Sequence, residues 1–291
     1  IKHLTKAKFI FDFRGLWVDE RVDKGGWDLN YFFHRLQYRF FKRVERKLLV
    51  QSDHVVVLTD KVVNEIIKLG ATKKSNITVI PCCANFNNFH LSTETDKIDA
   101  RISLGIPTDA FVLGYLGSIG KMYMLDKFFQ LFVMATKNRA NCHALLITPD
   151  TDKLKQLLDR HLPHNLLQRV HIKSATHDQV PNLLPAMDVM VSFITSTYAR
   201  MGASLTKMAE CFAVGIPVVV NSGVGDVKQT IDRLDGGWIV DSLSEDGLME
   251  ATQNLDIISA KGGGRLRDVS RPILGLDFAA KCYQSVYEKL V

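Results

Sequence analysis

The chain has 291 residues, of which 46% are hydrophobic and 23% are charged, and this composition is that of an ordinary globular protein with a sizeable core. No apolar run approaches the roughly 18 residues that a membrane-spanning helix requires, and the five cysteines include no C-x-x-C pair that would indicate a zinc or redox site. The net charge of +6 favours anionic partners, and the absence of a disulfide pattern favours a cytoplasmic location.

The first third of the chain alternates between strand-like and helix-like runs, which predicts an α/β fold. Strands are expected at residues 9–13, 55–58 and 77–80, and a long helix is expected between the first two, from about residue 29 to 49. Because the sequence enters an inner strand within a few residues of Ile1, we expect the first part of this domain to be missing.

The predicted long helix carries a dense basic cluster that is interleaved with apolar residues. Its cations are Arg35, Arg39, Lys42, Arg43, Arg46 and Lys47. A solvated helix face would explain them, and the alternative is contact with an anionic membrane surface, which would make the protein peripheral at the inner membrane face. Nucleic acid is not expected as a partner, because no nucleic-acid motif accompanies the cluster.

The second part of the chain begins after a polar, loop-like stretch that follows residue 81, and the best domain boundary lies near residue 105. Beyond it, strands are expected at residues 111–115, 144–148, 170–172, 189–193, 217–220 and 238–240. Six strands separated by helices predict a doubly wound parallel sheet, in which ligands bind at the carboxyl ends of the strands. A glycine run at 261–265 predicts a flexible break, and residues 278–290 have helical periodicity.

Residues 114–121, GYLGSIGK, join a predicted strand to a predicted helix. Glycines at such a junction let a phosphate approach the backbone, and the helix N-terminus supplies N–H donors. The G-x-x-G-x-x-G spacing differs from the dinucleotide G-x-G-x-x-G, so an ordinary tight turn is an equal interpretation.

Residues 200–220, RMGASLTKMAECFAVGIPVVV, combine a small-residue loop with Thr206, Lys207 and a helix that carries Glu210. A helix start with free N–H groups and a lysine suits a diphosphate. Glu210 is placed to accept hydrogen bonds from the vicinal hydroxyls of a ribose, and an unpaired carboxylate in such an apolar run would be costly. The alternative is an amphipathic core helix with an incidental glutamate.

Residues 12–20, DFRGLWVDE, place Asp12 and Arg14 at the carboxyl end of the first predicted strand. Two such side chains are well placed to bind a polar ligand. An Asp–Arg ion pair that holds the loop is the alternative.

These stretches together resemble glycosyltransferase family 4, the "group 1" retaining glycosyltransferases. In that family a Glu is followed five residues later by Gly and then by x-Pro-Val-Val, and Glu210, Gly215 and Pro217 match the pattern. Residues 77–89, 114–120 and 186–193 are similar to other family segments and occur in the family's order. The DFRG stretch is similar to capsule and lipopolysaccharide members, so the resemblance covers nearly the whole chain.

The resemblance implies two Rossmann-like domains that face a cleft, the GT-B type, with the N-terminal one incomplete. It divides the chain into an acceptor-side domain at 1–104, a nucleotide-sugar-binding domain at 105–270 and a closing helix at 271–291. It implies transfer of a sugar, with retention, from a nucleoside-diphosphate sugar to a glycan or glycolipid acceptor. No metal and no cofactor are expected.

The family's functional residues are carried over only onto matching positions. Glu210 would hold the donor ribose, Thr176 lies on the loop that faces the base, and Asp12 and Arg14 would lie on the acceptor side. The sugar and diphosphate would meet the first turn, the start of the signature helix and nearby cations. These remaining donor-side candidates are Gly117, Ser118, Lys121, Arg200, Ala203, Ser204, Leu205, Thr206 and Lys207.

Three positions depart from the family pattern. The family places an earlier Glu eight residues before the matched one, where this chain has Gly202. Its usual Arg and Lys at the first turn are Ser118 and Tyr123 here, so other cations would have to replace them. These departures leave open a degenerate, non-catalytic paralogue. An epimerase or a phosphorylase of the same architecture is a further alternative, whereas the glycine spacing disfavours a dehydrogenase.

Overall fold

The computed structural model describes residues 7–70 and 74–291. They form two parallel β-sheets, of three and six strands, with helices packed around each. Among the described residues, no helix combines the length and the apolar character needed to cross a bilayer.

The first sheet has the strand order β1-β2-β3, and both of its strand pairs are parallel. Its strands are β1 (Ile10–Phe13), β2 (His54–Val57) and β3 (Ile77–Val79). Its helices are α1 (Trp17–Asp23), α2 (Phe32–Gln51) and α3 (Asp60–Lys68). The central strand β2 is buried along its whole length, as its HVVV sequence predicts for a strand covered on both faces.

Helix α2 is fixed to α1 by a half-buried ionic network rather than by apolar contacts alone. Lys42 Nζ lies 3.0 Å from Asp19 and 2.5 Å from Glu45, and the hydroxyl of Tyr38 donates to Asp19 at 2.8 Å. Lys42 therefore points inward. The prediction that it belongs to the basic face of this helix is wrong for this one residue. Burial raises the pKa of Glu45, which Lys42 opposes.

The second sheet is entirely parallel and has the strand order β6-β5-β4-β7-β8-β9. Its strands are β4 (Phe111–Leu116), β5 (Cys142–Ile147), β6 (Val170–Lys173), β7 (Val189–Ser192), β8 (Val218–Asn221) and β9 (Gly237–Val240). The direction in which strands are added reverses between β4 and β7. A crevice outside the carboxyl ends of the strands at this switch is the usual ligand position in such folds.

Helices cover both faces of the second sheet. One face packs against α4 (Glu94–Leu104), α7 (Val180–Leu183), α8 (Thr206–Val214), α9 (Val227–Leu234) and α12 (Gly264–Leu274). The other packs against α5 (Leu125–Asn138), α6 (Thr151–His161), α10 (Glu245–Gln253) and α11 (Leu255–Ser259). The two layers of buried aliphatic and aromatic side chains are those of a doubly wound domain.

Helix α4 belongs with the second sheet, although the predicted boundary near residue 105 lies after it. Arg101 of α4 is 2% exposed and donates to Asp188 at 2.8 Å and to the carbonyl of Ala186 at 3.1 Å. Ala84 and Phe86 already lie in the same core cluster. The packing reason is that α4 buries Ala100 in the core of the second sheet and lies against the segment 180–186.

The end of the chain returns to the first sheet. The N–H of Ala84 donates to Leu274 O at 2.9 Å, and the N–H of Leu276 donates to Ala84 O at 3.1 Å. The last helix, α13 (Leu276–Leu290), starts at this crossing and places Tyr283 beside Asp12 of β1. The expected closing segment at 271–291 thus comprises the end of α12 and the whole of α13.

The glycine run at 261–265 is a packed turn and not the flexible break that the sequence predicted. The N–H of Gly263 donates to Gly215 O at 2.7 Å, and a Cβ on Gly262 would lie 2.6 Å from the same oxygen. Lys261 Nζ is also 2.7 Å from a carboxylate oxygen of Asp235. The glycines are needed because the two backbones approach closely.

Candidate active site

A cavity of about 210 Å³ lies at the strand-order switch of the second sheet. It is bounded by the carboxyl ends of β4 and β5, by the loop after β6 and by the start of α8. Its wall includes three of the predicted residues, Gly117, Ser118 and Lys207. The structure therefore brings these three candidates together.

The turn after β4 is fixed by hydrogen bonds on both sides. Gly117 N–H donates to Ile147 O at 3.1 Å, and the hydroxyl of Tyr115 donates to Ser118 O at 2.7 Å. The N–H of Ile119 donates to Asp150 at 2.8 Å, which holds the pKa of that carboxyl below its ordinary value. The backbone is thus preorganised at the mouth of the cavity.

Glu210 lies on α8 within a run of seven buried residues and is itself 2% exposed. Its Oε1 is 3.0 Å from His177 Nε2, and its Oε2 is 3.1 Å from Lys207 Nζ. The carboxylate is therefore not the lone charge that the apolar run suggested. The ammonium group of Lys207 and the hydrogen bond with His177, both at the rim, compensate for its burial.

His177 is a site residue that the sequence did not reveal. It lies in the loop after β6, lines the cavity beside Ala175, and its ring contacts that of the buried Phe89 with 5.6 Å between centroids. Its only signal was its position next to Thr176, which was expected to face a base. The N–H of Thr176 is held by Gln179 at 3.0 Å, which fixes the same loop.

The start of α8 divides the remaining predicted residues between two cavities. Ala203, Ser204 and Leu205 line a larger cavity of about 480 Å³, together with Thr59 and other residues from the carboxyl ends of β2 and β3. Ser204 Oγ accepts the N–H of Cys82 at 3.0 Å. Thr206 opens the helix, and no described side chain caps its first turn. The free N–H groups of α8 therefore lie between the two cavities.

The two other predicted cations lie where the two sheets meet. Lys121 reaches across from the loop after β4, so that its Nζ lies 3.2 Å from the place where a Cβ on Gly25 would stand. Arg200 is 4% exposed, and its nearest carboxylate oxygen, on Glu20, is 3.7 Å away. Its Nε has no hydrogen-bond partner among the described residues.

Asp12 and Arg14 form an exposed ion pair of 3.6 Å at the end of β1. Asp12 lies against Tyr283 of α13, where burial, with Asp12 adding to it, raises the pKa of the tyrosine. Both line a third cavity, of about 460 Å³, with Trp17, Phe41 and other residues of α1 and α2. The structure places them apart from the Gly117–Glu210 group, as the ion-pair alternative expects.

Several hydrogen bonds join the two sheets' domains across the cleft. Thr59 Oγ1 donates to Met201 O at 2.7 Å, and the hydroxyl of Tyr198 donates to Glu65 at 2.7 Å. Asp226 accepts the first N–H groups of α3, so that a carboxylate from one domain caps a helix of the other. The segment after β7 is thereby held against α1 and α3.

A family model described as "Glycosyl transferases group 1" matches residues 96–255 of this chain. That range contains the whole second sheet. It also includes Glu210, the turn after β4 and the loop that carries His177.

Among characterised proteins, the chain is 24% identical over 214 residues to 2-deoxystreptamine N-acetyl-D-glucosaminyltransferase from Streptomyces fradiae. The match covers 72% of this chain and 48% of the relative, so the chain spans about half the length of that protein.

Two solved structures share the fold. Anabaena HepE in complex with UDP-glucose has a TM-score of 0.64 and 17% identity, covering 86% of this chain and 66% of HepE. WaaG, a glycosyltransferase involved in lipopolysaccharide biosynthesis, has a TM-score of 0.70 and 16% identity, covering 98% of this chain and 78% of WaaG. The fold of the chain is of the GT-B type.

Proposed function

Because the chain belongs to the group 1 glycosyl transferases, we propose that it transfers a sugar from a nucleoside-diphosphate sugar to an acceptor hydroxyl. The observation that carries the proposal is the cavity at the strand-order switch. There the backbone turn at Gly117 and the open N-terminus of α8 meet, and the buried carboxylate of Glu210 lies directly behind His177 and Lys207 of the cavity wall. Ribose hydroxyls need an acceptor such as this carboxylate, and a diphosphate needs N–H donors such as those of a helix N-terminus.

The donor that we propose is a UDP-sugar, the ligand class of Anabaena HepE. Its ribose hydroxyls would donate to Glu210 and displace His177 from Oε1, and its base would lie along the Thr176 loop. Its diphosphate would lie against Gly117 and accept from the N–H of Ser118 and from the first N–H groups of α8, at Thr206 and Lys207. The small-residue loop of Ala203, Ser204 and Leu205 would adjoin the sugar.

Cations must supplement these N–H groups because a helix terminus contributes only about 0.3–1 kcal/mol at an exposed site. Lys207 is 38% exposed and can turn from Glu210 to a phosphate. Lys121 and Arg200 approach the same cleft from the loop after β4 and from the segment after β7.

We propose that the reaction retains the anomeric configuration and needs no metal or cofactor. The acceptor oxygen would attack the anomeric carbon from the face that the diphosphate leaves, as the carbon–oxygen bond to phosphate breaks. The departing diphosphate would take the hydroxyl proton. Preorganised N–H groups and cations lower this barrier by stabilising the charge that develops on the leaving group.

The acceptor is proposed to be a glycan or a glycolipid that enters from the first sheet's side, near Asp12 and Arg14. WaaG, which shares the fold, acts in lipopolysaccharide biosynthesis. A lipid-linked acceptor also accounts for the outer face of α2, where Phe32, Phe33 and Phe40 are more than half exposed. We therefore place the protein in the cytoplasm, peripherally at an anionic inner membrane face.

The test is a transfer assay with labelled UDP-glucose, UDP-N-acetylglucosamine and GDP-mannose and a membrane extract as the acceptor source. Label that enters the lipid or glycan fraction supports the proposal, and the Glu210→Gln variant is expected to lose most of it. Conversion of the donor to its isomer would identify an epimerase. Release of sugar phosphate only with added phosphate would identify a phosphorylase. A wild type that binds donor without consuming it would identify a non-catalytic paralogue.

A further inference from the structure

A side chain at position 202, where the family pattern places a glutamate, would press on the backbone of the opposite domain. A Cβ on Gly202 would lie 3.2 Å from Gly15 Cα and 3.5 Å from the nitrogen of Leu16. The first distance is tighter than ordinary van der Waals contact, so the backbone of the turn after β1 would have to shift by a few tenths of an ångström. The glycine therefore lets the turn after β1 lie directly on the segment after β7, in the space that a side chain would need.

The carboxylate of Glu20, from the opposite domain, lies beside the contact between Gly15 and Gly202. The point where a Cβ on Gly15 would lie is 3.4 Å from Glu20 Oε1 and 3.5 Å from Gly202 O. Glu20 lies on α1, and its side chain is 17% exposed, so it keeps an open edge. Lys24 holds the other oxygen at 2.8 Å. The fold thus brings a carboxylate close to position 202 from elsewhere in the chain.

Arg200 provides the second observation. Its side chain is 5% exposed, its Nε is unpartnered within the described residues, and Glu20 at 3.7 Å is beyond hydrogen-bond distance. A buried guanidinium with an unpaired N–H is rare, because the desolvation of that donor is not repaid. A ligand oxygen that accepts from Arg200 Nε, beside Glu20, would repay it.

We propose that Glu20 replaces the missing glutamate of position 202 and accepts hydrogen bonds from hydroxyls of the transferred sugar, while Arg200 Nε donates to an oxygen of the same donor. This inference rests on the proposed function. A carboxylate and a guanidinium side by side suit a sugar phosphate, which offers hydroxyl donors and anionic acceptors together. Recognition of the sugar would then depend on contact between the domains, because its carboxylate and its phosphate donors come from opposite sides of the cleft.

The experiment compares calorimetric affinities for UDP, UDP-glucose and UDP-N-acetylglucosamine in the wild type and in Glu20→Gln. The variant is expected to keep its affinity for UDP and to lose on the order of tenfold for the preferred UDP-sugar, the effect of one hydrogen bond to a charged group. Equal affinities of wild type and variant for every UDP-sugar would overturn the inference.

Asp23→Asn is the matched control. Asp23 lies on the same helix and accepts from Thr197 across the same domain contact at 2.5 Å. It should leave the sugar preference intact, and an equal loss there would show that Glu20 only holds the domains together. Gly202→Glu, which restores the family residue, should weaken UDP-sugar binding, and improved binding would contradict the inference. A wild type that binds neither UDP nor any UDP-sugar would refute the proposed function itself.

Discussion

Glu210, Lys207 and His177 form the most informative group at the scale of single residues. In the proposed complex Glu210 serves the ribose and Lys207 serves the phosphates, so their variants should differ in which ligand they affect. Glu210→Gln is expected to weaken uridine and UDP alike, by about tenfold, whereas Lys207→Ala should weaken UDP far more than uridine. Calorimetric titration of both ligands against both variants measures the difference.

An equal loss of uridine and UDP affinity in Lys207→Ala would mean that Lys207 acts only through its 3.1 Å contact with Glu210. The diphosphate would then be assigned to Lys121 instead. Unchanged uridine binding in a folded Glu210→Gln protein would remove Glu210 from the ribose site.

Asp188 illustrates a motif residue whose position is explained by stability. It accepts from Arg101 at 2.8 Å, from Val112 N–H at 2.6 Å and from Lys97 at 2.9 Å. Asp188→Ala leaves the buried Arg101 without its counter-charge, so we expect a loss of about 3–5 kcal/mol in the free energy of unfolding by urea. Asp256→Ala, which breaks an exposed pair with Arg139, is the control and should cost nothing measurable. Equal stabilities of the two variants would contradict this role.

The sequence could single out Glu210 and the Gly117 turn as candidates because each lies at a fixed distance from glycines within its own short motif. It could not identify His177 or Glu20. Their partners, Glu210 and Arg200, are 33 and 180 positions away along the chain, and only the strand order and the domain contact bring them together. The expected flexible break failed for a similar reason, since the glycines at 262 and 263 serve a contact with Gly215.

At the scale of elements, β5 and β6 are joined by two stacked histidines. His143 Nδ1 and His171 Nε2 are 3.0 Å apart. Burial lowers the pKa of both below the ordinary value, and the neighbouring His171 lowers that of His143 further. The neutral pair therefore stabilises the fold fully above about pH 6.5. This contribution is lost as the pH falls through the lowered values, because the unfolded chain then takes up protons more readily.

We expect the urea midpoint of the wild type to fall between pH 7.5 and pH 5, and the fall to be smaller in His143→Gln. His161 of α6, which stacks on Phe129 of α5, offers the matched control variant His161→Gln. A pH dependence that is identical in wild type and His143→Gln would show that the pair does not titrate as argued.

Helix α2 presents a mixed aromatic and basic surface to solvent. Phe32, Leu36 and Phe40 follow one another at helical spacing and are 54–64% exposed. The exposed cations beside them, which form no ion pair with a described residue, are Arg35, Arg39, Arg43, Arg46 and Lys47. An interfacial helix combines these two features, whereas a solvated face needs no aromatic stripe.

Sedimentation with vesicles tests this surface. The protein should bind vesicles that contain phosphatidylglycerol and not those of phosphatidylcholine alone, and Arg35→Glu with Arg39→Glu should reduce binding at least tenfold. Phe32→Ser with Phe33→Ser should also release it. Tyr287→Ser, at an exposed aromatic residue of α13, should have no effect. If none of the α2 variants changed vesicle binding, this surface of α2 would be an ordinary solvated helix face.

The sequence located all nine strands of the described part of the chain to within about two residues, because each apolar run is short and is bounded by polar or glycine-containing turns. It did not reveal that α4 packs on the second sheet. Nothing local in that amphipathic helix says which sheet covers its apolar face. The deciding contact, between Arg101 and Asp188, joins residues 87 positions apart.

At the scale of the whole molecule, the two sheets face each other with the carboxyl ends of their strands inward. The segment 197–203 lies between them and is hydrogen-bonded to residues of the first sheet's domain. Three sets of hydrogen bonds hold this arrangement. Asp226 accepts from the first N–H groups of α3, the hydroxyl of Tyr198 donates to Glu65, and the hydroxyl of Thr59 donates to Met201 O. Two cavities open beside the start of α8, and we assign the nucleotide to the smaller one. That choice follows from the strand-order switch and not from size.

A crystal structure of the protein with UDP-glucose tests this central claim most directly. We predict that the uracil base lies along the loop of Thr176 and that the ribose hydroxyls donate to Glu210, with His177 displaced. The diphosphate should lie between the Gly117 turn and the first N–H groups of α8. A nucleotide bound instead in the larger cavity, among Thr59 and its neighbours, would contradict it.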